Sequence, residues 1–502
     1  MPETRRWTIV TWSRTADEAE AAAAPWLGSG VVERLVQAGP AWAAPPLAHG
    51  PTRVRVESPR FLDTVALRRI ADSLRGGRVA LFTAEGVPAP REPLFRRLEQ
   101  AFDTGRWGCL YSRYQLDRGG SVPETVVLPR FQEGSARDTF PMGPVLFFRT
   151  ETFRKAVEAE SASPEWRFAA LQGVLLECAR RGRVGHVPEA LYTFSPRSAE
   201  DPEAAHFAYQ RREDAERQRE MEDVFTGHLR RTGAWLPPPP AFSSPAPAYP
   251  VDASVIIPVR NRVSTVAQAV ESAATQEASF PFNVLVVDNH SDDGTSARVA
   301  EMAERFPNVV HLVPPDRGRG IGGCWQYAVE APQCGRWAVQ LDSDDLYAGP
   351  RSLSLMVDCL RDTPCALAVG AYRLVNHKLE EVPPGVIDHR EWTPQNGHNN
   401  LLRVEGIGAP RAYDVRALRR VGFPDVSYGE DYAVALALSR QHRVGRVYDP
   451  VYLCRRWEGN TDSRPSSAQA AANHEYKDYL RTCELALRRS GSPRPAPGPV
   501  QP

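Results

Sequence analysis

Three carboxylates fall within four residues at Asp342-Ser343-Asp344-Asp345. Like charges this close repel one another unless a cation sits among them. The run before them, Arg336-Trp-Ala-Val-Gln-Leu341, is largely apolar and reads as a strand, so the acids lie at a strand mouth. Carboxylate oxygens without a histidine or cysteine cluster suit Mg2+ or Mn2+. Such an ion would bridge a diphosphate and stabilise it as a leaving group. The competing reading is a solvated acidic turn that caps the next helix.

Three further stretches carry chemistry. Gly429-Glu430-Asp431-Tyr432 opens an apolar helical run and supplies a carboxylate that could take a proton from a nucleophile. Acids at that position also simply favour a helix N-terminus. Arg317-Gly-Arg-Gly-Ile-Gly322-Gly323 combines glycines before a helix with two arginines, a pattern that lets backbone N–H groups approach phosphate. Cys454-Arg455-Arg456-Trp-Glu-Gly-Asn-Thr461 is expected to close two guanidinium groups on a diphosphate from a mobile C-terminal segment.

The elements that must position these residues alternate. Ala253-Ser-Val-Ile-Ile-Pro258-Val259 reads as a buried strand, followed by a helix from Val263 to Glu277. A second strand, Phe282 to Val287, ends in Asp288, and a helix over Thr295 to Phe306 precedes a third strand from Val309 to Val313. Residues 336–341 are the fourth. Strand alternating with helix predicts βαβ units and a parallel sheet, with ligands bound beyond the carboxyl ends of the strands. Pro258-Val259-Arg260-Asn261, Asp288-Asn-His-Ser291 and Asp342 to Asp345 are therefore expected to converge on one crevice.

The chain has 502 residues with 61 basic and 61 acidic side chains, so the formal net charge of zero argues against a nucleic-acid binder. No apolar run approaches the roughly 20 residues that span a bilayer, and the N-terminus lacks a secretory signal pattern. The eight cysteines form no C-x-x-C pair, so neither a zinc site nor a disulfide framework is expected. A cytoplasmic protein is the first expectation, and a peripheral one at the inner membrane face the second. Leu236 to Pro250 (LPPPPAFSSPAPAYP) favours an extended spacer. The expected division is 1–235, a linker at 236–250, a domain at 251–465, a helix at 466–489 and a disordered tail at 490–502.

The two halves look related. Val184-Gly-His-Val-Pro-Glu-Ala-Leu-Tyr192 resembles Val444-Gly-Arg-Val-Tyr-Asp-Pro-Val-Tyr452, and residues 79–87 line up with 338–346 at nearly the same offset. Where the second half has Asp342, Asp344 and Asp345, the first has Thr83, Glu85 and Gly86. Where the second has Glu430-Asp431, the first has Ala170-Leu171. The first half is thus expected to keep the fold and lack the chemistry, docking an acceptor or forming a homodimer.

Taken together and in this order, the four acidic, glycine-rich and basic features resemble the family 2 glycosyltransferases of GT-A fold, from about Ser254 to Ser463. Ser254-Val-Ile-Ile-Pro-Val-Arg-Asn261 looks like the family's opening strand, and Val286-Val-Asp-Asn-His-Ser-Asp-Asp293-Gly-Thr295 like its second signature. Asn289 and His290 stand where the family usually has a second Asp and a Gly. The fold implied is two tandem α/β GT-A domains with mostly parallel central sheets.

The resemblance implies an inverting, single-displacement transfer from a nucleotide-diphospho-sugar, with UDP as the expected nucleotide. It makes Asp288 the reader of the base and places Pro258, Val259, Arg260, Asn261, Asp293, Arg317 and Gly322 around the donor. Asp344 would coordinate Mn2+ or Mg2+ with Asp342, which also lies near the ribose, while Ser343 and Asp345 would face the donor sugar. Arg455 and Arg456 would screen the leaving diphosphate. Asp431 would be the base, with Glu430 the alternative. The acceptor is left open among polysaccharide, lipid-linked glycan, protein and small molecule. The reading from a different class is a non-catalytic nucleotide-sugar or glycan-binding scaffold.

Overall fold

A computed structural model describes residues 6–41, 51–58, 60–120, 122–160, 164–181, 183–197, 215–242, 248–390, 393–456 and 465–491. Residues 243–247 of the proline-rich stretch, 457–464 after the Arg455-Arg456 pair, and the 492–502 tail lie outside the described residues. The chain divides into two compact units, residues 1–231 with 465–478, and residues 232–464 with 479–502. The helix Ser467–Ser490 therefore contributes its first part to one unit and its second to the other.

The first unit holds β1 (Trp7–Trp12), β2 (Val32–Gly39), β3 (Thr52–Glu57), β4 (Arg78–Phe82), β5 (Gly86–Pro90), β6 (Trp107–Leu116), β7 (Glu124–Val126), β8 (Val145–Arg149) and β9 (Arg183–Pro196). Their order is β3-β2-β1-β4-β8-β6-β9-β5, with β7 on β6. The second holds β10 (Ala253–Val259), β11 (Phe282–Asp288), β12 (Val309–Leu312), β13 (Trp337–Gln340), β14 (Leu346–Tyr347), β15 (Leu367–Val375), β16 (Glu381–Ile387), β17 (Arg411–Asp414) and β18 (Val444–Arg455). Their order is β12-β11-β10-β13-β17-β15-β18-β14, with β16 on β15. The two sheets have the same topology, strand for strand.

In each sheet the first four strands are parallel, and the pairs that follow are antiparallel except β6 with β9 and β15 with β18. Parallel strands are covered on both faces and so read as continuous apolar runs. Val255, Ile256, Ile257, Val284, Leu285, Val286 and Val287 are accordingly fully buried. In the first unit successive residues serve opposite faces: Val10, Val36 and Leu81 join one apolar cluster, while Ile9, Leu35 and Ala80 join another.

The internal similarity falls on matching elements. Residues 79–82 lie in β4 and 338–340 in β13; residues 184–192 lie in β9 and 444–452 in β18. The helices that begin at Ala170 (Ala170–Arg181) and at Glu430 (Glu430–Gln441) precede β9 and β18 respectively. The described part of the proline-rich stretch is tied to the second unit, through Leu236 O to Asn399 Nδ2 at 2.9 Å and Pro239 O to Arg443 Nε at 3.0 Å. Among the described residues no helix is long and apolar enough to cross a membrane.

Candidate active site

In the second sheet β11 and β13 flank β10 on opposite sides, so the strand order reverses there and opens a crevice beyond the carboxyl ends. The loops leaving β10 and β11 are stitched together. Asn261, in the left-handed region at φ 54°, accepts from Asp292 N–H at 3.0 Å and donates its own N–H to Ser291 Oγ at 3.0 Å. Burial would raise the Asp293 carboxyl, but the Thr295 hydroxyl at 2.6 Å, Thr295 N–H at 2.9 Å and Val263 N–H at 3.1 Å donate to it and hold it below the ordinary range. Pro258 is half-buried, Val259 buried and Arg260 exposed.

Asp288, at the end of β11, is 1% exposed. Burial alone would raise its carboxyl. Contacts from His311 at 3.5 Å, the Ser296 hydroxyl and Ser291 N–H at 3.0 Å outweigh that and hold it far below the usual range. It is a fixed carboxylate with much of its acceptor capacity already used. His290 takes φ 56°, the left-handed conformation a glycine would favour, and its Nε2 lies 3.1 Å from Asp316 O. Asn289 donates to Arg319 O at 2.7 Å. These two residues therefore tie β11 to the glycine-rich loop.

That loop differs from the expectation. Gly322 is buried and gives its N–H to Val426 O at 2.9 Å, and a Cβ there would lie 1.9 Å from Pro424 O. Gly320 N–H goes to Asp425 Oδ1 at 2.7 Å, and a Cβ on Gly323 would lie 2.2 Å from the same oxygen. The glycines admit the 424–426 segment, and the N–H groups of Gly320 and Gly322 are spent on it rather than offered to a phosphate. Arg317 is exposed.

The acids at the end of β13 gather around a hub that sequence reasoning missed. Gln340 donates to Asp342 Oδ1 at 2.9 Å and accepts Arg411 N–H at 3.2 Å. The Tyr452 hydroxyl accepts Asp342 N–H at 3.0 Å and hydrogen-bonds Asp345. Asp345 is 5% exposed; burial, then Asp342 and Asp344, push its carboxyl far up although Arg455 N–H donates to it at 2.8 Å. Asp342 is raised by burial and by Asp344 and Asp431, against Arg411. Asp344 is half-buried, with Arg262 Nε 3.8 Å away, and Ser343 is buried.

Arg411, from the first position of β17, reaches Asp431 Oδ2 at 2.7 Å. Tyr432 N–H donates to Asp431 Oδ1 at 2.7 Å. Glu430 beside it is buried; burial and then Asp431 push it up to about 8. Asp431, with its side chain 24% exposed, is the more accessible of the two.

Arg455 also departs from the expectation. It is the last residue of β18, in register with Val375, 2% exposed, and its Nη2 donates to Gln268 Oε1 at 2.7 Å. It is a strand residue inside the site, not part of a mobile flap. Arg456 is half-buried and donates its N–H to Val375 O at 2.7 Å.

Two carboxylates, Asp342 and Asp344, fit a hard cation that keeps waters and takes its remaining ligands from a diphosphate. Among the described residues no three His, Cys, Asp or Glu side chains are grouped closely enough to cage an ion alone. Burial first, and then the neighbouring acids, raise the carboxyls of Asp342 and Asp345.

The matching place in the first unit has different chemistry and different contacts. Thr83 Oγ1 donates to Gly143 O at 3.2 Å, and Glu85 pairs with Arg14 at 3.2 Å. A Cβ on Gly86 would lie 2.7 Å from the Phe194 ring. Leu146 pairs with Leu81 of β4, one residue beyond the Ala80↔Phe147 pair, while Arg411 stands one residue beyond the Val339↔Ala412 pair and meets the Gln340 side chain.

Residues 254–422 match the family described as Glycosyl transferase family 2. The succinoglycan biosynthesis protein ExoO of Rhizobium meliloti (strain 1021) is 39% identical over 94 residues, 19% of this chain. That match spans about a quarter of the relative, 26% of its length. Among solved structures, S. aureus TarS 1–349 in complex with UDP-GlcNAc is similar over 48% of this chain and 73% of its own, at 20% identity and a TM-score of 0.36. The mannosyltransferase PcManGT from Pyrobaculum calidifontis, in complex with GDP-Man and Mn2+, covers 58% of this chain and 84% of its own, at 17% identity and a TM-score of 0.33. The matched residues 254–422 all fall in the second unit, and the first unit carries a sheet of the same strand order.

Proposed function

We propose that the second unit transfers a sugar, with inversion, from a nucleotide-diphospho-sugar of the UDP class to a hydroxyl acceptor in glycan synthesis. The observation that carries this reading is the convergence of Asp342, Asp344, Asp345, Glu430 and Asp431 around Arg411 at a strand-order reversal, inside the family-matched segment. A scaffold that only bound a nucleotide sugar would have no use for an accessible carboxylate held across from the acid-rich strand end.

The donor would lie across the ends of β10, β11 and β13, with its base toward Asp288. Asp342 and Asp344 would hold Mn2+ or Mg2+, which when bound neutralises charge on the departing diphosphate. Asp345 and Ser343 would face the donor sugar, and Arg455 and Arg456 would add positive charge beside the diphosphate. Asp431 would accept the acceptor's hydroxyl proton as its oxygen bonds to the anomeric carbon. The bond from that carbon to the diphosphate breaks with its electron pair leaving on the phosphate oxygen. Charge at the carbon develops as in other glycosyl chemistry.

In the first unit Thr83, Glu85 and Gly86 do not supply the carboxylate cluster and Ala170 and Leu171 supply no base, and we assign it a binding role. The deciding experiment is a screen of nucleotide sugars for hydrolysis by the full chain, with and without Mn2+. Turnover of at least one donor is expected. No turnover with measurable donor binding would favour the scaffold.

A further inference from the structure

The first unit has a cavity of about 200 Å3 whose lining includes none of Thr83, Glu85 or Gly86. Its floor is made by Arg113 on β6 and His186 on β9, strands that pair in parallel. One wall is the stripe Ala468, Ala471 and Ala472 on the helix Ser467–Ser490, where short side chains leave the space open. Glu475 stands one turn further along, and accepts Arg130 N–H at 2.8 Å.

Two polar atoms of this floor are open to a ligand. His186 Nε2 and Arg113 Nε are buried without a hydrogen-bond partner. Both nitrogens can therefore pair with the hydroxyls of a molecule seated in the cavity. His186 stacks on Tyr111, with ring centroids 4.9 Å apart, which fixes the ring's orientation. Burial, and then Arg113, lower the imidazole to about 4, so at neutral pH it is uncharged and one ring nitrogen is an acceptor.

The lining chemistry narrows the ligand. A metal would want more than the single carboxylate of Glu475. A diphosphate would meet that carboxylate head-on and need more cations than Arg113 and Arg130. A purely apolar ligand would leave the two nitrogens unsatisfied. The cavity is smaller than the roughly 300–1,000 Å3 that takes drug-sized ligands. It suits one six-membered ring with an apolar C–H face for the alanines and hydroxyls for Arg113, His186 and Glu475. We propose that this cavity binds a single pyranose ring of a glycan, making the first unit a carbohydrate-binding module.

The test uses the full chain with methyl β-D-glucopyranoside and methyl β-D-galactopyranoside as probes, read by saturation-transfer NMR and by titration. No donor and no turnover enter the measurement, so it can fail while the transferase reading stands, and the reverse. Saturation transfer to at least one glycoside is expected. Arg113→Met should weaken it about tenfold or more through the lost charged hydrogen bond. Ala471→Phe should abolish it by filling the space, with donor hydrolysis in the second unit unchanged in both variants. Circular dichroism checks that both variants are folded. Absence of transfer to both glycosides, or transfer undiminished in a folded Arg113→Met or Ala471→Phe chain, overturns the proposal.

Discussion

Arg411 Nη1 lies 2.7 Å from Asp431 Oδ2, and the pair joins the start of a four-residue strand to the first turn of the helix Glu430–Gln441. Both side chains are largely buried, at 13% and 24% exposure. Asp342 and Glu430 also bear on the same guanidinium. One cation thus balances acids drawn from two separate stretches of sequence.

Removing that cation should be expensive. Breaking a buried pair by deleting one partner costs roughly 3–5 kcal/mol, less where water reaches it as here. Arg411→Met is expected to lower the melting temperature of the second unit by several degrees. Arg411→Lys should recover part of that loss but not the geometry. Differential scanning calorimetry of the three proteins decides it, and an unchanged transition in Arg411→Met would refute the hub.

Asp431→Asn keeps shape and removes proton acceptance. Turnover to acceptor should fall by roughly 10²–10⁴-fold, while donor binding measured by calorimetry stays near the parent value. Transfer at the parental rate would move the base elsewhere.

Chelation should stop donor turnover, and Mn2+ or Mg2+ should restore it. Asp344→Asn should raise the metal concentration needed for half-maximal rate by at least ~10-fold. Full activity in EDTA, on protein shown to be free of metal, would remove the ion from the reaction.

Glu430 gives a signed dependence on pH. Its carboxyl is raised from 4.5 to about 8 in the folded unit by burial and by Asp431. Between those values the folded state holds a proton that the unfolded chain has lost. Stability from this group is therefore full below about pH 4.5 and drains away as pH rises through 8. The loss in stability between pH 5 and pH 8.5 should be smaller in Glu430→Gln than in the parent. Urea denaturation at both pH values measures it, and parallel losses in the two proteins would count against the shift.

Arg137 and Asp478 form an ion pair at 3.0 Å with neither side chain exposed, and Ser135 Oγ donates to the same carboxylate at 2.9 Å. Asp478→Asn should cost the first unit roughly 3–5 kcal/mol and leave nucleotide-sugar hydrolysis at the parental rate. Limited proteolysis reads the first effect and a hydrolysis assay the second. A drop in hydrolysis matching the loss of stability would contradict it.

Much of the second unit was legible because buried parallel strands announce themselves. β10, β11 and β13 read as apolar runs that each end in a polar cluster, and the topology brings those ends together. Arg411 was not legible. Its strand, Arg-Ala-Tyr-Asp, is too short to carry a periodic pattern, and only pairing with β13 and β15 delivers it to the acids. Tyr452 and Gln340 were hidden for the same reason, as members of strands whose partners are distant in sequence. The glycine-rich loop misled because a glycine can make room for phosphate or for backbone, and Gly322 makes room for Pro424. Arg455 departs from the expected mobile segment because β18 runs twelve residues, long enough to keep it in register with Val375. The first unit was legible only through its echo of the second.

The helix Ser467–Ser490 also bears on how the protein is made. Residues 465–478 belong to the unit that begins near residue 6. Domains generally fold as they leave the ribosome, N-terminal first, at about 5–20 residues per second. Here the unit translated first lacks the carboxylate for Arg137 and the alanine wall of its cavity until residue 478 has been made. At that pace it waits roughly 12–50 s after residue 231, while the whole second sheet is synthesised. A nascent chain halted before residue 465 should therefore display the first unit in an open form, sensitive to protease around residues 125–137, although all nine strands of the second sheet, β10 to β18, have already been made.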